Sequence, residues 1–132
     1  MVKEDWTPIF EIAYELSQVV YRDYIDDIDP KRSDTPYFFS SVCGGTGHAY
    51  IKGIGGNTDL GRQLKKWCSD GSGRCRIEFG AYGGLNVRPV IPEPRDWREQ
   101  CIRPRAELAK SFANEIKSAG LSSRLWVEEV LV

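Results

Sequence analysis

Two hydrophobic periods alternate along this chain, and that alternation limits what it can fold into. Apolar residues recur every three to four positions over 7–25, 58–68 and 104–119, the spacing of one helix face. They recur at every second position over 48–54, 74–81 and 85–90, the spacing of a half-buried strand. A helix stripe and a strand face each need an apolar surface to cover them, so these segments must pack on one another in layers. With 132 residues there is room for one such assembly and not for two independent cores. A content of 41% hydrophobic and 28% charged residues suits a globular domain and is far from that of a disordered chain.

The punctuation between the periodic segments predicts the element order. Thr7 caps a first helix and Pro8 takes its first helical position, where a missing N–H is harmless. Ile9, Ala13, Leu16 and Val20 form its expected buried stripe, broadened by Ile12, Val19 and Tyr24. The run Asp26-Asp27-Ile28-Asp29-Pro30 ends that helix near Ile25, because acidic groups oppose the dipole there and a proline follows. A polar loop over 29–35 leads to a strand over 37–42, and Cys43–Gly47 turns it into a second strand over 48–54. Thr58 or Asp59 caps a second helix with Leu60, Leu64, Trp67 and Cys68 on one face. Residues 74–81 read as a strand with Cys75, Ile77 and Phe79 on one side and Arg74, Arg76 and Glu78 on the other. Gly83-Gly84 turns into a partner strand over 85–90, where Pro89 and Pro92 argue for an edge position or an early end. A short helical turn over 95–101 and a longer helix from Pro104 follow, the latter with Leu108, Phe112 and Ile116 inward, Ala109 and Ala113 for close packing, and Gly120 as its stop. Residues 125–132 read as a last strand, with helix as the alternative. The expected fold is thus a small two-layer α+β domain of order α-β-β-α-β-β-α-β, a mainly antiparallel sheet against helices.

Formal net charge is −1, unevenly spread. Residues 1–34 hold four basic and nine acidic side chains, and residues 35–90 hold seven basic and three acidic. Two charged surfaces are therefore expected: an acidic one from Asp23, Asp26, Asp27, Asp29 and Asp34, and a basic one from Arg62, Lys65, Lys66, Arg74, Arg76 and Arg88. Either suits an oppositely charged partner, and Arg76 and Arg88 are expected to share a sheet face. No apolar run is long enough to span a bilayer, and no apolar block follows a basic start, so the reading is a cytoplasmic chain without a membrane partner. The four cysteines, Cys43, Cys68, Cys75 and Cys101, lack the close CxxC spacing of a zinc site and are expected as free thiols. Cys68 and Cys75, which flank a Gly/Ser turn, are the most plausible bridge among them.

Three sets of residues suggest chemistry. Gly44, Gly45, Gly47, Gly55 and Gly56, with His48 and Thr58, make a glycine-rich stretch whose exposed N–H groups could cradle an anion before the second helix. It matches neither a P-loop nor a full GxGxxG turn. His48 is the only histidine, a candidate base but no metal site by itself. In the third set, Tyr37, Tyr50-Ile51, Leu60 and Arg62, with Glu115 further on, bear a partial resemblance to GIY-YIG nucleases. That resemblance implies tyrosine and arginine roles for Tyr50 and Arg62 and a metal-binding role for Glu115. It spans about a fifth of the chain and lacks the glycine of each signature.

These features favour a non-catalytic protein–protein interaction module of inhibitor or immunity type, acting through charged surfaces without a cofactor or a metal. The partner expected is another protein. The alternatives are a metal-dependent nuclease or nucleotide-binding enzyme, for which nucleic acid or a nucleotide is the partner, and a small-ligand-binding protein without turnover.

Overall fold

The computed structural model describes residues 4–26, 46–69, 74–80, 83–90 and 101–131. Along them run α1 (Thr7–Asp26), β1 (Gly47–Gly55), α2 (Asp59–Cys68), β2 (Cys75–Phe79), β3 (Gly84–Pro89), α3 (Ile102–Ser118) and β4 (Trp126–Leu131). The described order is therefore α-β-α-β-β-α-β, and the expected strand at 37–42 and helical turn over 95–101 lie outside the described residues. The closing segment is a strand, paired with β1 from Gly47↔Leu131 to Lys52↔Trp126.

The sheet has the order β2-β3-β1-β4, and every neighbouring pair is antiparallel. β1 and β2 both oppose β3, so they are parallel to each other with β3 between them; β3 and β4 are parallel with β1 between them. Two β-α-β units, each split by a strand of the other, are thus interleaved, the ferredoxin-like arrangement. β3 is a central strand, so of the two outcomes expected from its prolines, an edge position or an early end, the second holds: it stops at Pro89. Pro89 is tolerated because it is the last residue of β3 and faces Cys75, beyond the last pair that β3 makes with β1.

Alternation along the strands divides the sheet into two faces. Ala49, Ile51, Ile54, Leu85, Val87 and Cys75 turn inward against Leu64 and Trp67 of α2 and Ala109, Phe112, Ala113 and Ile116 of α3. Each large apolar side chain buried this way contributes about 1.5–3 kcal/mol. Strict alternation would have put Ile54 outside with Lys52. A bulge between Ile51 and Ile54 inserts Gly53 at φ 90°, and the extra residue returns Ile54 to the core.

α3 buries the expected Leu108, Phe112 and Ile116, with Ala109 and Ala113. It starts at Ile102, two residues ahead of Pro104. The proline is accommodated because the first-turn N–H groups have no acceptor within the helix. α1 buries a different face from the expected one. Phe10, Ala13, Tyr14, Ser17, Tyr21 and Ile25 are inward, whereas Ile12, Leu16 and Val19 are 55%, 44% and 58% exposed. Its helix is apolar on two sides, and α3 takes the side where Ala13 and Ser17 let the backbones approach. The Ser17 hydroxyl is satisfied locally, donating to the Tyr14 carbonyl at 2.7 Å.

Trp67 is the hub where the three helices meet. Its ring lies 5.8 Å from Phe112, 5.7 Å from Phe10 and 6.1 Å from Tyr14, and its indole N–H donates to Glu11 at 3.0 Å. Gln63 of α2 ties down the chain start, accepting from the Trp6 N–H at 2.7 Å and donating to the Glu4 carbonyl at 2.8 Å. Cys68 and Cys75 are free thiols, while Cys101 is disulfide-bonded, which corrects the expectation of four free thiols. No described helix is long and apolar enough to cross a membrane.

Candidate functional site on the open sheet face

The residues that alternate with the core strand positions form the second face of the sheet. β2 contributes Arg76 and Glu78, β3 Asn86 and Arg88, β1 His48, Tyr50 and Lys52, and β4 Trp126, Glu128 and Val130. Register then sets who meets whom. Arg76 lies directly opposite Arg88, Glu78 opposite Asn86, Tyr50 opposite Glu128, and Lys52 opposite Trp126. Like charges placed directly across a ladder destabilise it. Neither arginine forms an ion pair among the described residues.

Arg88 is the centre of this face. Its guanidinium carbon stands 6.0 Å over the Tyr50 ring, and its Nη1 donates to His48 Nδ1 at 2.7 Å. Its Nε is buried without a hydrogen-bond partner. Arg105, from the first turns of α3, reaches the start of β1 and donates to the Gly47 carbonyl at 2.6 Å and to His48 Nδ1 at 3.1 Å. Arginine has no acceptor, so Nδ1 must be the acceptor in both contacts and the neutral ring carries its proton on Nε2. Burial and then the Arg88 and Arg105 charges hold the His48 pKa below its ordinary 6.5, and only Glu78 pulls it upward.

Toward the bulge the face changes character. Lys52, Asn86 and Trp126 surround a cleft of about 370 Å³ whose floor is glycine backbone. Trp126 is 54% exposed, and Lys52 is held by Glu128 at 2.9 Å, a half-exposed pair worth little by itself. The face thus offers an aromatic anchor at one end and two opposed guanidiniums at the other.

The other candidate residues are placed elsewhere. Asp23 and Asp26 are exposed at the end of α1; Asp27, Asp29 and Asp34 lie outside the described residues. The six basic residues do not form one surface. Arg62 pairs with Asp59 and donates to the Asn57 carbonyl, Lys65 and Lys66 sit near the end of α2, and Arg74 pairs with Glu11 above the Trp67 ring. Only Arg76 and Arg88 share the open face, as expected.

In the glycine-rich stretch, Gly44 and Gly45 lie outside the described residues, and Gly47 is paired inside β1. The turn that follows spends its donors internally: Gly56 N–H on Gly83, Thr58 N–H on Gly55, and Gly61 N–H on the Thr58 hydroxyl, at 2.9, 3.2 and 3.0 Å. Gly61 has no side chain because the Gly55 carbonyl occupies the space a Cβ would need. This stretch packs α2 against β1 and leaves those N–H groups no anion to hold.

The nuclease-like set is not brought together. Tyr50 is on the open face, whereas Arg62 and Glu115 belong to helices on the other side of the sheet. Among the described residues no group of three or more His, Cys, Asp or Glu could hold a metal ion. Sequence reasoning missed Lys52, Asn86, Arg105 and Trp126. A period-two pattern over 126–130 was available for Trp126, but its neighbours depend on strand order. Comparison of the chain with family models, curated proteins and solved structures finds no match.

Proposed function

We propose that this chain is a non-catalytic protein-interaction module of the inhibitor or immunity type, whose open sheet face seats an acidic segment of a partner protein. The observation that carries the reading is Arg76 opposite Arg88, unpaired with any described carboxylate, with the Arg88 Nε buried and unpartnered. A carboxylate laid across the two strands would relieve the repulsion between the guanidiniums. Tryptophan, tyrosine and arginine are also the side chains that dominate binding energy at protein interfaces, and Trp126, Tyr50 and Arg88 lie on this one face.

A protein partner suits the face better than single-stranded nucleic acid. The Tyr50 ring is covered by Arg88 and flanked by His48, 6.3 Å away, so it is not an open stacking platform. Glu78 and Glu128 interrupt the cations, and the whole chain is at net charge −1. The cleft beside Trp126 favours a second reading, capture of a small ligand without turnover. The Cys101 disulfide favours an oxidising place of action over the cytoplasm expected from the N-terminus.

The test pairs charge reversals. A partner identified by cross-linking in the native host is titrated by calorimetry against Arg76→Glu/Arg88→Glu and against Asp23→Lys/Asp26→Lys. Loss of each sheet arginine is expected to weaken binding by about 30-fold or more, as hot-spot truncations do. Retained affinity in the sheet variant, loss confined to the α1 variant, or tighter binding of a single-stranded oligonucleotide than of an acidic peptide would each overturn the reading.

A further inference from the structure

α2 ends on Cys68 and β2 begins on Cys75, so the two cysteines stand at the ends of adjoining elements. Both are free thiols, Cys75 buried and Cys68 half-buried. They line one cavity of about 570 Å³, bounded also by Lys65, Lys66, Ile77 and Phe79. The two side chains touch, and the Cys68 contact, ahead of burial, pushes the Cys75 thiol above its ordinary range. Only Cys68 is offered to a solute, and Lys65 and Lys66 line the same cavity. Cys101 is already disulfide-bonded, so the chain holds a disulfide that oxidising surroundings maintain.

We propose that Cys68 and Cys75 are an exchange-active thiol pair that closes reversibly to a disulfide on reaction with a small anionic disulfide drawn to Lys65 and Lys66. In the first step the Cys68 thiolate attacks one sulfur of the small disulfide. That S–S bond breaks, one thiolate leaves and takes up a proton, and Cys68 carries the other half as a mixed disulfide. In the second step Cys75 loses its proton and attacks Cys68 Sγ, and the second thiol leaves. Two protein thiols are oxidised, and one small disulfide is reduced to two thiols. The roles follow from accessibility: Cys68 receives, and Cys75, buried against it, resolves. The product ties the first residue of the edge strand β2 to the last residue of α2.

The probe is oxidised glutathione, added to the whole chain with the Cys101 bridge intact. The expected result is loss of both free thiols, release of two glutathione molecules per chain, and a single new cross-linked peptide joining Cys68 to Cys75. Cys75→Ser is expected to stop at a lasting glutathionyl adduct on Cys68. Cys68→Ser is expected to slow modification of Cys75 by about tenfold or more, because a buried thiol reacts poorly. Cys75→Ala replaces Cys75→Ser if the serine variant does not fold, and the cross-link map of the native chain needs no variant. Three results would overturn the assignment: both thiols surviving in the folded chain under conditions that modify the unfolded chain, a new cross-link to any other cysteine, or the same lasting Cys68 adduct in the native chain as in Cys75→Ser.

Discussion

The two faces of the sheet are made by alternate residues of the same strands, yet they obey different rules. On the inner face Ala49, Ile51, Leu85 and Val87 meet helix side chains of the same kind, and what holds them is area removed from water. Any apolar set of the right volume would do nearly as well. On the open face the neighbours are specific and partly in conflict: Arg76 against Arg88, and two guanidiniums on one imidazole nitrogen. The opposed arginines are compensated only in part, by the His48 hydrogen bond and the Tyr50 ring. The inner face is set by burial, and the outer face by which side chains the register brings together.

That contrast can be broken most directly at Ile51 of β1 and Arg88 of β3, one on each face of the sheet. Ile51→Ala empties a fully buried site and is expected to lower unfolding free energy by about 2–5 kcal/mol, read from the urea midpoint. A loss no larger than that of an exposed position would mean the inner face is not the core. Arg88→Met is expected to move stability the other way, by about 1 kcal/mol, since it removes both the repulsion and an unsatisfied buried donor. The same variant should lose partner binding, and a destabilised Arg88→Met would show that the arginine serves the fold.

A pH titration sharpens the comparison further. The folded chain binds a proton at His48 less readily than the unfolded chain does, because its pKa is held below 6.5. Stability is therefore full above that pH and declines as pH falls below it, and the decline in urea midpoint should vanish in His48→Asn, which keeps an acceptor for Arg88 and Arg105. Asp5 is separable from this effect. Hydrogen bonds from the Thr7 hydroxyl and then the Thr7 N–H hold its pKa below 3.8, so its contribution is present above that value and lost only under stronger acid. The smallest effect is expected at Trp126→Ala, within about 0.5 kcal/mol of the native stability, with its consequence confined to binding. A large stability loss there would identify the indole as core.

How much was legible in advance differs from helix to helix. α3 has one apolar stripe, and its period alone identified Leu108, Phe112 and Ile116 as core. α1 has apolar residues nearly all round, and period could not choose between the stripe holding Ile12, Leu16 and Val19 and the one holding Phe10, Tyr14 and Tyr21. The choice fell to the aromatic set because the Phe10 and Tyr14 rings complete the cluster around Trp67, while Tyr21 packs in a second cluster with Ile25 and Leu108. Alternation in β1 was readable except at Gly53, where a bulge resets the phase, and a bulge is a property of the pair and not of one strand. The basic residues could be counted but not grouped: three helical positions, two strand-borne ones and Arg74 just ahead of β2 look alike in a row of letters and end on different surfaces.

The amino-acid order by itself determined the element types, most of their limits, the α+β class and the sharing of a sheet face by Arg76 and Arg88, because those depend on local periodicity and turn chemistry. Tertiary structure alone decided the strand order β2-β3-β1-β4, and with it the meeting of Arg76 with Arg88, of Arg88 with Tyr50 and His48, and of Lys52 with Trp126. Those contacts join residues far apart in the chain. Nothing in local spacing encodes them until the whole apolar face has been buried and the register of every strand is set.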